Sequence, residues 1–282
     1  MRKSGEGLRL GALPDSGYAR PMLVRDAGDA WQIVLQPDHA DLSGQLAQAW
    51  GGAGFARPEP YAPLVRAARC HDDGWATWEQ RPRLDGDGAP QSFTSVPAPV
   101  HLAFYRAGVE CVTAEDAAAG LLVSMHMSGL YRQRYDVMPS PPRTLPEDER
   151  DLIDAFVAQE EDRQVALRRA LDVDEAWRWT SYALLQVFDV VSLYFGLADV
   201  EVGVPGACEG VPTTVGADAV RIAIEPLGPW RVRFDPYPFS EDQVALTLRR
   251  RLVRKRDWPD DDAFRADLAA TPFETVRIFA QR

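Results

Sequence analysis

Cysteine, histidine and positive charge are all scarce in this 282-residue chain, and each scarcity excludes something. The three cysteines, Cys70, Cys111 and Cys208, are too few and too scattered for a disulfide framework and show no paired zinc spacing, so they read as reduced thiols. No stretch approaches the roughly 20 uninterrupted apolar residues of a membrane span. The opening MRKSGEGLRLGALPDSG lacks the apolar core of a secretory signal, and a cytoplasmic protein without a membrane partner is expected. The net charge of -11 opposes nucleic-acid backbones and anionic membranes at long range, which favours a small-molecule substrate over nucleic acid. No internal repeat is visible. What is present is a 46% hydrophobic composition, ample for a packed core. Homo-oligomerisation stays open.

Residues 1–20 mix Gly, Ser, Pro and charge without periodicity and read as a flexible tail, leaving 21–282 as a single domain. Met22 to Arg25 and Trp31 to Leu35, joined through Asp26-Ala27-Gly28-Asp29, read as a β-hairpin. A helix is predicted from near Asp38 to Trp50, with His39, Leu42, Leu46 and Trp50 on one face. A second, starting after Pro63, carries Leu64, Ala67, Ala68, His71, Trp75 and Trp78 at helical intervals. Arg81 to Pro99 is a long Gly- and Pro-rich connection of the kind that forms lids or binding loops. Further helices are predicted over Pro99 to Cys111, from Thr113 to near Tyr135, from about Pro146 to Leu171 after a break at Pro139, Pro141 and Pro142, and over Asp174 to Leu197. Beyond Val200 alternation predicts antiparallel strands at Val220 to Ile224, Trp230 to Phe234, Val244 to Val253 and Thr275 to Phe279, whose sheet the N-terminal hairpin completes. The basic run Arg249 to Arg256 reads as a solvated edge. The expected fold is thus α+β, a mainly α-helical core over 38–197 with a small antiparallel sheet from 21–36 and 200–282.

All four histidines fall between residues 39 and 126, as His39, the doublet His71-Asp72, His101 and His126. Asp189 stands in the apolar run Leu184 to Leu193, where an unpartnered carboxylate is costly to bury. Imidazole and carboxylate are ligands that zinc, iron, manganese and nickel share, so this ordered set points to one or two divalent transition-metal ions held among helices. A lone histidine on an apolar face is more often a hydrogen-bonded core residue, and for His101, just after Pro99, the two readings balance. Cys70, Met125 and Met127 flank ligands but project elsewhere and read as core. Asp85-Gly86-Asp87-Gly88 lacks the remaining oxygens of a calcium loop and reads as a turn.

The order His, His-Asp, His, His, Asp resembles that of the HD superfamily of metal enzymes, over about residues 38 to 195. Carried over by position, the resemblance implies one metal on His39, His71, Asp72 and Asp189, and a second on Asp72, His101 and His126. The strings HDDGWATWEQRP (His71 to Pro82), SFTSVPAPVHLAFYRAGVE (Ser92 to Glu110), SMHMSGLY (Ser124 to Tyr131) and LLQVFDVVSLYFGL (Leu184 to Leu197) are more closely similar to the bacterial family called domain of unknown function 3891. That family implies no activity. An HD-like domain is the expected fold, and the candidate catalytic carboxylates are Asp72, Asp73 and Glu79. For Asp73, accepting a hydrogen bond from a ligand imidazole and standing in solvent are both open.

Two metals about 3.5 to 4 Å apart activate a bridging water and neutralise charge on a phosphoryl group, so hydrolysis of a small phosphoester is the leading expectation. Trp75, Trp78, Tyr105 and Tyr131 are candidate ring-stacking residues, though aromatics at this spacing also serve as core. Arg106, Arg132 and Arg134 are candidate phosphate contacts, with ordinary surface charge as the alternative. Two rival readings use the same ligands: di-iron oxygen chemistry, and a non-catalytic metal-binding sensor or interaction module.

Overall fold

The computed structural model describes residues 22–93, 96–132, 147–215 and 219–282. The 1–20 segment, the proline-rich break and Arg134 lie outside them. Strands β1 (Leu23–Asp26) and β2 (Ala30–Val34) form the hairpin, turning where Gly28 takes a φ of +79° and donates its N–H to Asp26 Oδ1 at 2.9 Å. Helix α1 (Gln36–Ala49) follows, opened by a proline in its first turn. Helix α2 (Ala62–Cys70) is shorter than its periodicity predicts. It ends at Cys70, and a 3-10 turn over Asp73–Thr77 carries Trp75 instead. The cause is tertiary: a Cβ at Gly74 would lie 2.2 Å from the Phe104 carbonyl oxygen, so this residue lets the turn press against α3 (Ala98–Glu115). Helix α4 (Ala117–Gly129) starts where Asp116 Oδ1 accepts the N–H groups of Ala118 and Ala119, both at 3.0 Å. Helices α5 (Glu147–Leu171) and α6 (Glu175–Leu197) complete the bundle, with Asp174 capping α6 at Trp177 N–H, 3.0 Å.

The expected mainly helical HD-like core with a small antiparallel sheet is wrong. Strand accounts for 24% against 48% helix, and the strands form one curled, mixed, seven-stranded layer in the order β1-β2-β6-β7-β5-β4-β3. Beyond the hairpin these are β3 (Gly206–Pro212), β4 (Ala219–Gly228), β5 (Arg231–Asp235), β6 (Gln243–Arg254) and β7 (Glu274–Gln281). Three features produced the difference. β3, with two glycines and a proline in GACEGVP, looks like loop. Helix α7 (Asp261–Ala270) intervenes between β6 and β7. β7 then inserts between β5 and β6, and a strand placed between two antiparallel partners must run parallel to one of them, here β5. β2 pairs with β6 from Ala30↔Arg254 to Ile33↔Arg251, which brings both ends of the described chain into the same layer.

Helices α1 and α6 pack on the inner face of this sheet, burying Leu246, Leu248, Phe234, Ile222 and Ile278 with Leu42, Trp50 and Phe188. α7 covers part of the other face with Phe264 and Leu268 against Ile33 and Val253. α6 is long and apolar enough to cross a membrane by length and composition alone, but 83% of its apolar window is buried against the other elements. The connection after Arg81 is pinned as far as it is described: Leu84 N–H donates to Asp261 Oδ1 at 2.8 Å and Arg265 Nε to Pro82 O at 2.9 Å. Within it Asp85 Oδ1 accepts the N–H groups of Asp87 and Ala89, a turn.

Candidate metal centre

Four elements deliver donor atoms to one region inside the bundle, centred on His71. α1 brings His39, the end of α2 brings His71 and Asp72, α4 brings His126, and α6 brings Asp189. Their donor atoms form two overlapping groups, His39-His71-Asp72 and His71-His126-Asp189, each with every atom within 4.8 Å of the others. His39 Nε2 is 3.0 Å from Asp72 Oδ2 and 3.6 Å from Asp189 Oδ1. His71 Nε2 is 3.6 Å from the same Asp72 oxygen and 3.4 Å from Asp189 Oδ1, while His126 Nε2 is 3.7 Å from Asp189 Oδ2. The three imidazoles are buried, and Asp72 is the most accessible member, with 13% of its side chain exposed.

Hydrogen bonds behind the donors decide which ring nitrogens face inward. His71 Nδ1 lies 2.9 Å from the Ala68 carbonyl oxygen, which only accepts, so Nδ1 carries the proton. Its Nε2 is buried, has no hydrogen-bond partner and faces two carboxylates. His39 is fixed by a longer relay. Ser192 Oγ stands 2.8 Å from the Asp189 carbonyl oxygen and 2.5 Å from His39 Nδ1, while His39 Nε2 is hydrogen-bonded to Asp72 Oδ2 at 3.0 Å. Ser43 Oγ, 2.9 Å from Ser192 Oγ, extends the relay. With Nδ1 committed to Ala68, a neutral His71 would turn its Nε2 lone pair toward the oxygens of Asp72 and Asp189. Lone pair against lone pair is repulsive unless a cation lies between them, and that cation is either a proton or a metal ion.

The electrostatics of the bare cluster show the same demand. Burial opposes an imidazolium at His71, but the charges of Asp72 and Asp189 overcome it and raise its pKa to about 9. Burial likewise opposes ionisation of Asp189, yet the close approach and charge of His71, followed by the charges of His126 and His39, hold its carboxyl well below the ordinary range. Asp72 is lowered for similar reasons, burial being outweighed by His71 and His39. At His126 burial wins over the attraction of Asp189, and its pKa falls to about 4.

The other sequence candidates are dispersed. His101 joins neither donor group: its Nδ1 is 2.7 Å from Val96 O, and its Nε2 is bonded by the Tyr131 hydroxyl. Trp75 is buried and stacks on the His101 ring at 6.5 Å, with Tyr105 edge-on to Trp75, so these aromatics pack around His101. Arg106 bonds Gln159 at 3.0 Å, and exposed Arg132 pairs with Glu161 at 3.2 Å. Asp73 is exposed and bonds the Cys70 thiol. Glu79 takes a role that spacing does not suggest. Leu35 gives α1 no side-chain cap, and Glu79 Oε1 accepts the Gln36 N–H at 2.8 Å in its place. Glu79 Oε2 is buried without a partner, and burial, backed by the charges of Asp72 and Asp38, lifts the carboxyl well above the ordinary range despite that bond. Sequence reasoning also missed Ser43 and Ser192, although their places four residues after His39 and three after Asp189 put them on the ligand faces of their helices.

The chain belongs to a family described as a protein of unknown function, DUF3891, whose model matches residues 22–255. No curated protein and no solved structure matches it.

Proposed function

We propose that the protein holds a single divalent transition-metal ion on His39, His71, Asp72, His126 and Asp189 and uses it in hydrolysis of a small phosphoester. The observation that carries the metal reading is the buried Nε2 of His71, without a hydrogen-bond partner and 3.4 Å from a carboxylate oxygen, its tautomer set by Ala68. Three imidazoles and two carboxylates suit iron, manganese, nickel or zinc, and five donors leave a six-coordinate ion one position for water or substrate. Such an ion supplies Lewis acidity and lowers the pKa of bound water to about 7. The order of the ligands along the chain, which resembles the HD enzymes, supports hydrolysis; the fold does not. The engagement of His101 with Val96 and Tyr131 favours one ion over two.

A second reading, a non-catalytic metal centre, is favoured by the burial of the donors and by the position of the described cavities, one lined by Leu46, Trp50 and Phe239 and one by Arg233 and Tyr237, neither at the cluster. Metal analysis of wild type and of His71→Ala, Asp189→Asn and His101→Ala separates these points. One metal per chain, lost in the first two variants and kept in the third, is the expected result. Metal retained in all three ends the assignment. Turnover of phosphomonoesters or phosphodiesters by metal-loaded wild type, absent in Asp189→Asn, distinguishes the hydrolase from the non-catalytic centre.

A further inference from the structure

Alternation on the strands sorts their side chains onto two faces, and the faces differ in kind. On β5, β7 and β6 the inner positions Val232, Phe234, Ile278, Leu246 and Leu248 are buried. The outer positions of β4 through β6 carry Arg221, Arg231, Arg233, Arg277, Arg249 and Arg251, against only Glu225 and Asp235 on the same strands. Three of these arginines have carboxylate partners: Arg233 with Glu225, Arg221 with Glu209 at 2.8 Å, and Arg249 with Asp38 at 3.4 Å. Among the described residues no ion pair is formed by Arg231 or Arg277, and Arg251 shares the charge of Asp38 with Arg249. The pairing register steps the guanidinium groups across adjacent strands: Arg249 opposes Thr275, Arg277 opposes Thr247, and Arg231 opposes Phe279. Arg249 and Arg251 both lie over the ring of Phe273, at 4.1 and 3.8 Å from its centroid, and that ring is itself 37% exposed.

We propose that this face binds single-stranded nucleic acid. A row of cations crossing strands about 4.8 Å apart is an extended anion track rather than a pocket for one small ion. The guanidinium planes of Arg249 and Arg251, stacked on Phe273, present further π-faces on which unpaired bases stack, and the Thr275 hydroxyl offers a hydrogen bond, the Thr247 hydroxyl being engaged by Gln45 at 3.2 Å. A second copy of the same face is excluded as occupant by like charge. The net charge of -11 does not describe this surface, because acidic residues concentrate elsewhere: α5 alone carries Glu149, Asp151, Asp154, Glu161 and Asp162. With a Debye length of about 8 Å at physiological ionic strength, a ligand on the sheet responds mainly to the local arginines. This inference does not depend on the metal reading.

The test is fluorescence anisotropy of a labelled single-stranded oligonucleotide of about 15 nucleotides with the full chain. Neutralising three phosphates at a slope of about -0.7 each predicts binding that weakens about 20-fold between about 50 and about 200 mM salt. The variant Arg231→Gln/Arg249→Gln/Arg277→Gln should lose about 10-fold or more in affinity at low salt while its thermal unfolding stays that of wild type. No saturable binding at low salt, or a folded variant that binds like wild type, overturns the proposal. Displacement of the oligonucleotide by polyglutamate at equal charge also overturns it and reassigns the face to acidic peptides.

Discussion

Metal uptake by this cluster should expel one proton, and His71 is where it comes from. In the metal-free protein its pKa is raised to about 9. At pH 7, two units below, about 99% of the ring is imidazolium. A metal needs the Nε2 lone pair, because Nδ1 is committed to the Ala68 carbonyl, and must displace that proton. His126, with a pKa of about 4, is already neutral over this range and releases none. Apparent metal affinity should therefore rise roughly 50-fold from pH 7 to pH 9, close to one decade per unit at first and flattening as His71 titrates. The assay is calorimetric titration of manganese or zinc into chelator-stripped protein, repeated in two buffers of different ionisation enthalpy to count protons. Affinity independent of pH from 6.5 to 9, with no proton released, would refute the placement of His71 at the metal.

The same shift fixes the sign of the pH dependence of stability. His71 is raised above its ordinary 6.5, so the stability it lends the metal-free fold is complete below that value and is lost as pH climbs to about 9, an effect on the order of 3 kcal/mol. Asp189 is shifted the other way, and its contribution is lost in acid as pH falls through its depressed value. Metal-free protein should thus unfold more readily at pH 9 than at pH 6.5, and metal-loaded protein should not show that decline.

Ser192→Ala removes the hydrogen-bond partner that holds the His39 ring and should weaken metal binding about 10- to 100-fold with the fold intact, read by competition with a chromogenic chelator; unchanged affinity would show the relay to be incidental. Glu79→Ala should cost about 1 kcal/mol by uncapping α1, whereas Glu79→Gln, which keeps an acceptor for Gln36 N–H, should restore most of it; equal melting temperatures for the two variants would remove Glu79 from the capping role.

Local rules carried most of the helical layer. A 3.6-residue apolar period and capping residues predicted helices over 146–171 and 174–197, and α5 and α6 run Glu147–Leu171 and Glu175–Leu197. What failed depended on partners distant in sequence. The periodicity through Trp75 and Trp78 is real, but the helix stops because Gly74 meets the Phe104 carbonyl, thirty residues on. Strand alternation likewise told which side chains face inward, not which strand lies beside which, so the insertion of β7 between β5 and β6 was invisible. α7 did leave a signal in Asp260 before Phe264 and Leu268, a cap ahead of an i, i+4 apolar pair. Within the site, no spacing rule distinguishes His101 from His126. Only the structure shows that Tyr131 occupies the Nε2 of His101.

Asp189 was the informative residue because a charge in an apolar helix constrains every neighbour. Its carboxylate is 7% exposed as a side chain and lies within 3.7 Å of Nε2 atoms from three other segments. Removing one partner of such a buried charge commonly costs 3–5 kcal/mol, since the remaining charge is left uncompensated. α1, the end of α2 and α4 therefore cannot drift from α6 without exposing that penalty, and a cation bound among them ties the four segments together. The cluster is then part of the reason the bundle has one arrangement, whatever reaction it supports. Asp189→Leu, which removes the demand instead of leaving it unmet, should be less destabilising than Asp189→Asn in metal-free protein and equally unable to hold metal. If thermal unfolding ranks the two the other way, the amide introduced by Asp189→Asn finds hydrogen bonds in the cluster and its burial carries no penalty.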